Sequence, residues 1–341
     1  MALDKAVDSA QLNADLTAVA DAIRTKGGTS AQLAFPDGFV SAVQAIEGAP
    51  DLQIVVTTSA GATVTATKGS KTVSGTADAS GNCTLIVDES GVWTVTATAG
   101  SSHKSAEVVV GTSSVGLTLI SNVFSENEWS TIIEACKSGE VPSTWAVGDQ
   151  KIMTIDGHDY LVDILGKNHD TYADGPGTAP LTFVLHDCYN TIYKMNTSNS
   201  DAGKIWTDTY IRKTVLPALL KAMPEEVQRA VREVAKTISN GASSPTYSVV
   251  ADKLFVLSYT EVFSDSSISP TEGKPYTTYF GQGSTAVASS KRVKKHLGTA
   301  VQWWLRSPSA YAKECYTVNA KGQLGAVSLT TECGLVFAFC F

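Results

Sequence analysis

The chain has 341 residues and a formal net charge of -7 at pH 7, with 43% apolar and only 17% charged residues. An acidic chain of this kind lacks the basic face that binds nucleic-acid phosphates, and its apolar runs are shorter than the roughly 18 residues of a membrane span, so we expect neither nucleic-acid binding nor membrane insertion. The length exceeds that of one ordinary domain and predicts two or three.

The N-terminal segment is predicted to be helical. Its first residues, MALDKAVDSAQ, lack the apolar core of a signal peptide. Apolar side chains recur at helical spacing at Leu12, Leu16, Val19, Ala20 and Ile23. This stripe predicts an amphipathic helix over 11–25, and a shorter stripe from Phe39 to Ile46 predicts a second one. Two short helices cannot bury their apolar faces alone, so we expect them to pack on another chain.

The same segment carries a family resemblance. The stretch LTAVADAIRTKGGTSAQLAFPDGFVSAVQAI resembles the short N-terminal module of tail-fibre and tail-tip proteins from phages of Gram-positive gut bacteria. The resemblance implies that residues 1–49 attach the chain to other virion tail proteins or form a homo-oligomer, with a trimer favoured. It also implies a virion protein that is assembled in the bacterial cytoplasm.

A β-rich segment follows at residues 50–118. Thr63, Thr65 and Thr67 alternate with Val64 and Ala66, and a similar alternation surrounds Trp93. This period of two predicts about six half-buried strands that form a small β-sandwich. The segment resembles bacterial immunoglobulin-like or carboxypeptidase-regulatory-like modules, which implies a spacer.

Residues 119–341 are predicted to form one α+β domain. Ser125 and Glu128 have the spacing of a capping box at the start of a helix. Asp156-Gly157 is expected to join two strands in a hairpin. Further on, Asp208 is predicted to cap a helix over Tyr210–Leu220 that Pro217 ends or kinks. Another helix is predicted to begin at Pro224, with a core stripe running through Val234 and Ile238 to Asn240-Gly241.

Several ordered motifs in this domain carry a second resemblance. They are TDTYIRKTVLPALL at 207–220, DKLFVLSY at 252–259, WWLRSP at 303–308 and GLVFAF at 334–339. Together they resemble an uncharacterised family of phage and gut-bacterial proteins that is similar to the C-type-lectin fold. That fold is used by formylglycine-generating-enzyme relatives and by the variable proteins of diversity-generating retroelements. Val336-Phe337 stand where the family often has Arg-Pro, so no role of that arginine is transferred.

The resemblance implies a rigid scaffold with a tolerant rim that binds a host cell-surface glycan or protein. Trp303, Leu305, Leu335, Phe337 and Phe339 are expected to form the interior of the scaffold. Aromatic and polar side chains of the rim suit ligand contact. The predicted ligand-binding residues are Tyr311, Lys313, Glu314, Tyr316, Asn319, Thr330, Thr331 and Glu332. Diversification of Ser309–Glu332 by a retroelement is a subsidiary hypothesis. Arg306 is expected to brace the fold through carbonyls or a buried carboxylate.

Enzyme chemistry has little support in the sequence. Catalytic motifs such as GxSxG, HExxH and the P-loop do not occur, so we expect no catalytic residue and no cofactor. His186-Asp187-Cys188 is interpreted as a core or turn segment, since strand neighbours point to opposite faces. The basic run Lys291–His296 is interpreted as a solvated face in preference to an anion site.

The sequence also contains candidate metal ligands and cysteines. Asp170 and Asp174 supply oxygen ligands of the kind calcium uses, without EF-hand spacing, and we assign no metal site. The six cysteines are expected to be reduced and buried, and the sequence leaves open whether Cys315 and Cys333 pair.

The sequence therefore predicts a tail-fibre or tail-tip receptor-binding protein. One alternative is a structural tail or baseplate component that does not bind a receptor. Another is a cell-wall-acting enzyme or thiol-dependent oxidase on the same fold.

Overall fold

The computed structural model describes residues 9–27, 32–34, 38–39, 42, 52–110, 114–200, 202–241, 246–264, 272–283 and 285–341. The chain forms two compact units, residues 1–119 and residues 120–341. The structure contains both strands and helices, with several separate sheets and a few short helices. The sequence predicts this mixture of the two element types. None of the helices within the described ranges combines the length and the apolarity that crossing a membrane requires.

Helix α1 of the first unit spans Ser9–Gly27 and confirms the helix predicted over 11–25. Ala20 and Ile23 are buried, whereas Leu12 and Val19 are 47% and 49% exposed. Half of the apolar stripe is therefore open to solvent. The second predicted helix, Phe39 to Ile46, falls largely outside the described residues.

The strands of the first unit form two sheets. Their bounds are β1 Leu52–Thr57, β2 Thr63–Lys68, β3 Lys71–Thr76, β4 Asn82–Val87, β5 Val92–Ala99, β6 Ser102–Val109 and β7 Val115–Gly116. One sheet has the order β4-β1-β7 and the other β3-β2-β5-β6. Both sheets contribute alternate apolar residues to one core around Trp93. Threonines face each other on the opposite side of β2 and β5, where Thr65 pairs with Thr96, so the predicted alternation is confirmed.

A five-stranded sheet forms the centre of the second unit. Its order is β14-β21-β10-β9-β8, with β8 Gln150–Ile155, β9 His158–Lys167, β10 Leu181–Leu185, β14 Leu254–Phe255 and β21 Ala338–Cys340. Phe183 and Phe339 stack across it with ring centroids 5.2 Å apart. Helix α2, Trp129–Ser138, packs on this sheet through Trp129, whose ring lies edge-on to Phe183 at 5.6 Å. The predicted hairpin is confirmed, since Asp156 and Gly157 join β8 and β9 with positive φ angles.

Short elements surround this sheet. The helices are α3 Leu216–Ala222, α4 Glu225–Ala230, α5 Tyr259–Phe263 and α6 Thr277–Phe280. The remaining strands are β11 Tyr193–Lys194, β12 Val234–Ser239, β13 Tyr247–Asp252, β15 Lys294–His296, β16 Thr299–Val301, β17 Trp303–Pro308, β18 Glu314–Val318, β19 Leu324–Ser328 and β20 Glu332–Cys333. They pair as β11-β20, β12-β13, β15-β16 and β17-β18-β19.

Three local predictions in this unit are wrong. Ser125 lies in a 3-10 turn, and α2 begins after Glu128 without a side-chain cap; a capping box exists instead at Ser258 and Glu261. The helix predicted over Tyr210–Leu220 begins as a π-helical segment, Ile211–Val215, that continues into α3, and Thr209, not Asp208, accepts a hydrogen bond from the amide of Arg212 at its start.

The third error concerns the stripe that ends at Ile238. Helix α4 stops at Ala230, and Val234–Ser239 is a strand paired with β13. The spacing of the apolar residues fits a helix, but the β-branched residues Val234, Thr237 and Ile238 also favour a strand, and pairing with β13 decides between the two.

Candidate functional site

The scaffold predicted to hold the ligand-binding rim is buried. All residues of β17 are buried, and so are the C-terminal residues from Cys333 to Phe341. Phe337 and Phe339 have no exposed surface, so their predicted place in the interior is confirmed. The indole of Trp304 donates a hydrogen bond to the carbonyl of Tyr193 at 2.7 Å, which ties β17 to β11.

Arg306 braces this scaffold as the sequence predicts. Its side chain is fully buried and contacts the carboxylate of Glu261. It also donates to the carbonyls of Val256 and Glu272. Lys236 bridges Glu261 and Asp170 at 2.6 and 2.8 Å, so four charged side chains form one buried network.

The turn between β17 and β18 is fixed by hydrogen bonds. The nearly buried Lys204 ammonium donates to the carbonyl of Tyr311 at 3.2 Å, and the amide of Tyr311 donates to the hydroxyl of Ser309 at 3.0 Å. Lys313 adopts a positive φ of 62°, and its carbonyl accepts from the amide of Leu329 at 3.1 Å. The turn is therefore held from both sides.

Most of the predicted ligand-binding residues lie on one end of this sheet. The side chain of Tyr311 is 69% exposed, and Lys313 is also exposed. Because Glu314 pairs with Ser328 and Lys313 contacts Leu329, the loop with Thr330 and Thr331 lies beside the turn. We call Tyr311, Lys313, Glu314, Thr330 and Thr331 the rim surface.

Three predicted residues depart from the rim surface. Tyr316 is only 7% exposed and packs against Tyr259 with ring centroids 5.7 Å apart, so its prediction as a contact residue is wrong. It faces inward on β18, where alternation places it against α5. Asn319 lies at the opposite end of β18, where its carboxamide closes the turn to β19. Glu332 is exposed on β20, opposite Lys194.

Asp170 and Asp174, the acidic residues considered as calcium ligands, form ion pairs with basic side chains of the protein. Asp174 accepts two hydrogen bonds from the guanidinium of Arg232, at 2.9 and 2.6 Å. Asp170 is buried and accepts from Lys236, Thr182 and Tyr276. The neighbouring Lys236 ammonium holds the pKa of Asp170 well below its usual value, against the opposing effect of burial.

All six cysteines are free and buried, as predicted. Cys315 and Cys333 lie in different sheets, on β18 and β20, so they are not cross-strand partners. Burial raises the pKa of Cys136, Cys188 and Cys333 to about 12. Such thiols stay protonated near neutral pH.

A polar cleft in the second unit was not predicted. It has a volume of about 620 Å³. Strands β8, β9 and β15, helix α6 and the adjoining loops supply its walls. The residues that line it are Val147, Gly148, Gln150, Asp163, His186, Asp187, Thr278, Tyr279, Ser290, Lys291, Val293, Lys294 and Lys295. We call this the Lys294 cleft.

A hydrogen-bonded cluster forms the floor of the Lys294 cleft. Asp163 is buried in β9 and accepts from Gln150 at 2.9 Å, from Nδ1 of His186 at 2.8 Å and from the hydroxyl of Tyr279. These hydrogen bonds and the nearby Lys294 ammonium lower the pKa of Asp163, although burial alone would raise it. Asp163 is therefore an anion with both oxygens engaged.

Lys294 balances this charge from the other side. Its ammonium is buried and donates to the carbonyls of Leu185 and His186 at 3.1 and 2.6 Å and to the hydroxyl of Tyr279 at 3.2 Å. Burial lowers the pKa of Lys294 to about 8, against the attraction of Asp163 and Asp187. Three donors meet three acceptors, so Lys294 contributes charge to the cleft without a free hydrogen-bond donor.

Sequence reasoning missed this cleft because its residues are far apart in the chain, with 130 residues between Asp163 and Lys294. One signal was visible: Asp163 interrupts the apolar strand LVDILG, and a charge in such a run needs a partner. The basic run Lys291–His296 was interpreted as a solvated face, whereas Lys294 and Arg292 are buried. Lys291 and Lys295 are exposed and line the cleft.

Comparison with known proteins gives one similarity. Neither the curated proteins nor the solved structures contain a match to the chain. Residues 182–341 match the family model described as a domain of unknown function, DUF6273. The matched segment runs from β10 to the last residue and contains the rim surface together with His186, Tyr279 and Lys294, whereas Asp163 precedes it.

Proposed function

We propose that the chain is a bacteriophage or prophage tail-fibre or tail-tip protein whose second unit, residues 120–341, binds a host cell-surface ligand through the rim surface. The observation that carries the proposal is the placement of Tyr311. Its side chain is 69% exposed on a turn whose backbone is fixed by Lys204, Ser309 and Leu329. An aromatic side chain held on a fixed turn offers a contact surface that is already organised for binding.

The physical properties of the rim surface suit recognition of a glycan or a protein. A tyrosine offers a large amphipathic contact at a low cost in side-chain entropy, because it has two rotatable bonds. Because the backbone of the turn is already fixed, less conformational entropy is lost when a ligand binds. Lys313, Thr330 and Thr331 stand beside it and can form hydrogen bonds with a ligand.

We also propose the finer fold assignments that the family resemblance implies. The second unit would be a C-type-lectin-like domain, and the two-sheet module at 50–118 an immunoglobulin-like spacer. Residues 1–49 would attach the chain to other tail proteins or form a trimer. The half-exposed Leu12 and Val19 of α1 support an attachment role, since a partner helix would cover them.

The distribution of buried and exposed residues within Ser309–Glu332 also indicates where diversification by a retroelement would be tolerated. Within Ser309–Glu332, the strand residues Cys315 to Val318 are buried, whereas Ala310 to Lys313 and Thr331 to Glu332 are exposed. Substitutions at the exposed positions would change the contact surface without changing the core. A near-repeat of the coding segment, differing mainly at template adenines, would support this, and a gene neighbourhood without one would refute it.

Binding of the full-length protein to cells tests the proposed function. Fluorescently labelled protein is incubated with a panel of Gram-positive gut bacteria and with their purified cell walls. We expect binding to some strains and its loss in Tyr311→Ala, because the variant removes the exposed ring and leaves the turn intact. Val249→Ala is the matched control, since Val249 is also 69% exposed and lies on β13.

Two outcomes would refute receptor binding. One is equal cell binding by Tyr311→Ala and the wild type. The other is no binding to any strain by a protein that is folded by circular dichroism, which would favour a structural tail or baseplate role.

A further inference from the structure

The Lys294 cleft has the size of a small-molecule site. Its volume of about 620 Å³ lies within the range of roughly 300–1,000 Å³ that ligand pockets occupy. Its walls combine the aliphatic side chains of Val147 and Val293 with the hydroxyl groups of Thr278 and Ser290. Apolar walls with a few convergent polar groups are typical of such sites.

The floor of the cleft presents one histidine nitrogen to solvent. Asp163 is ionised and can only accept, so Nδ1 of His186 carries the hydrogen that it shares with that carboxylate. Nδ1 also lies 2.9 Å from Nε2 of Gln150, which donates to the same carboxylate, and Nε2 of His186 has no partner in the part of the chain that the structure describes. The side chain is 43% exposed. Nε2 of an imidazole held in this way can form a hydrogen bond with a hydroxyl group of a ligand.

The rim of the cleft offers positive charge. Lys291 and Lys295 are exposed lining residues. Of the two lining carboxylates, Asp163 accepts hydrogen bonds at both oxygens, and Asp187 accepts one at Oδ1 from the amide of Lys295 at 2.8 Å. The lining therefore holds three lysine ammonium groups against two carboxylates, in a chain whose net charge is -7.

From these observations we infer that the Lys294 cleft binds a small hydroxylated acid, with the carboxylate or phosphate group against Lys291 and Lys295 and a hydroxyl group hydrogen-bonded to Nε2 of His186. Acidic sugars, either uronic acids or sugar phosphates, have this chemistry. The cleft shares no residue with the rim surface. It is a second site, and the inference does not require that the rim surface bind a receptor.

Calorimetric titration of the full-length protein tests the inference. The probes are glucuronate, glucose 6-phosphate and glucose, which share a sugar ring and differ in the acidic group. We expect at least one acid to bind and glucose not to bind, and the two acids distinguish a carboxylate site from a phosphate site. The variant Lys291→Gln/Lys295→Gln is expected to weaken acid binding by about tenfold or more, because it removes charged donors.

The control variants show whether binding depends on the cleft itself. Lys137→Gln removes an exposed lysine at the end of α2 and is expected to bind the acids like the wild type. Tyr311→Ala should lose cell binding but keep acid binding, so the two proposals fail independently. His186→Gln is expected to weaken binding of the acids, with thermal unfolding as the check that the variant is folded.

Three results would overturn the inference. They are binding of glucose as tight as that of the acids, wild-type affinity in the double lysine variant, and no binding of either acid. The lysine substitutions are at exposed positions, so an unfolded variant is not an expected cause of lost binding.

Discussion

Arg306 and Glu261 form a fully buried ion pair in which two guanidinium nitrogens face two carboxylate oxygens. Nη1 lies 2.5 Å from Oε2, and Nη2 lies 3.1 Å from Oε1. Glu261 is also the second residue of the capping box that begins α5, where its carboxylate accepts from the amide of Ser258 at 2.9 Å. One carboxylate therefore joins the start of a helix to β17, which carries the turn of the rim surface.

Removal of Arg306 is predicted to destabilise the protein strongly. Arg306→Met leaves the buried carboxylate of Glu261 with Lys236 as its remaining cation, and breaking a buried pair costs about 3–5 kcal/mol. Urea denaturation measures the free energy of unfolding. Arg229→Met is the control, since Arg229 forms an exposed pair with Glu225 and its loss is expected to have little effect. A loss below about 1 kcal/mol in Arg306→Met would contradict the prediction.

Because Lys294 is buried, the free energy of unfolding is predicted to rise as the pH increases above neutrality. Burial lowers the pKa of its ammonium in the folded protein to about 8, from 10.5 in the unfolded chain. Between these values the unfolded chain holds a proton that the folded protein has released, so the free energy of unfolding rises with pH. This destabilisation is fully present below pH 8 and is on the order of 3 kcal/mol.

The comparison of wild type with Lys294→Met isolates this effect. Asp163, Asp187, Cys188 and Tyr279 surround the ammonium, and the thiol and phenol titrate with the opposite effect at high pH. The difference in the free energy of unfolding between the two proteins should therefore be plotted from pH 7 to pH 10. A difference that stays constant over this range would show that Lys294 is not shifted.

Patterns within one segment predicted local structure well. The alternation around Thr65 predicted a half-buried strand, and Asp156-Gly157 predicted a hairpin, because both depend on neighbouring residues. The apolar runs that contain Arg306 and Phe339 predicted a buried scaffold for the same reason. Each of these outcomes depends on a short-range preference that the fold does not override.

Long-range pairing decided the features that were missed. Val234–Ser239 becomes a strand because β13 lies beside it, and Tyr316 is buried because α5 packs on that face of β18. The Lys294 cleft joins β9, the residue after β10, α6 and β15. Single residues such as Asp163 indicated that a partner exists but not which residue it is.

The buried thiols are predicted to be unreactive in the folded protein. Burial raises the pKa of Cys136 and Cys188 to about 12, so almost no thiolate is present at pH 8, and the sulfur atoms lie out of reach of reagents. A chromogenic disulfide reagent should therefore label the native protein slowly and all six cysteines in urea. Rapid labelling of one cysteine without denaturant would contradict this prediction.

Gly334 is predicted to be required because Cys188 approaches its Cα. A Cβ at this position would lie 2.4 Å from Sγ of Cys188 and 3.2 Å from Cγ2 of Val301. The backbone cannot move away easily, since the amide of Gly334 donates to Gln302 at 2.9 Å and its carbonyl accepts from Trp304 at 3.1 Å. Gly334→Ala should therefore destabilise the protein by about 1–3 kcal/mol through overpacking.

A double-mutant cycle tests whether Cys188 is the cause. Cys188→Ala removes the sulfur that the new methyl group would meet, so Cys188→Ala/Gly334→Ala should be more stable than the sum of the single changes predicts. Urea denaturation of the four proteins gives the coupling free energy. If the two losses simply add, the cost of Gly334→Ala arises from the backbone or from Val301, and the contact with Cys188 does not explain the glycine.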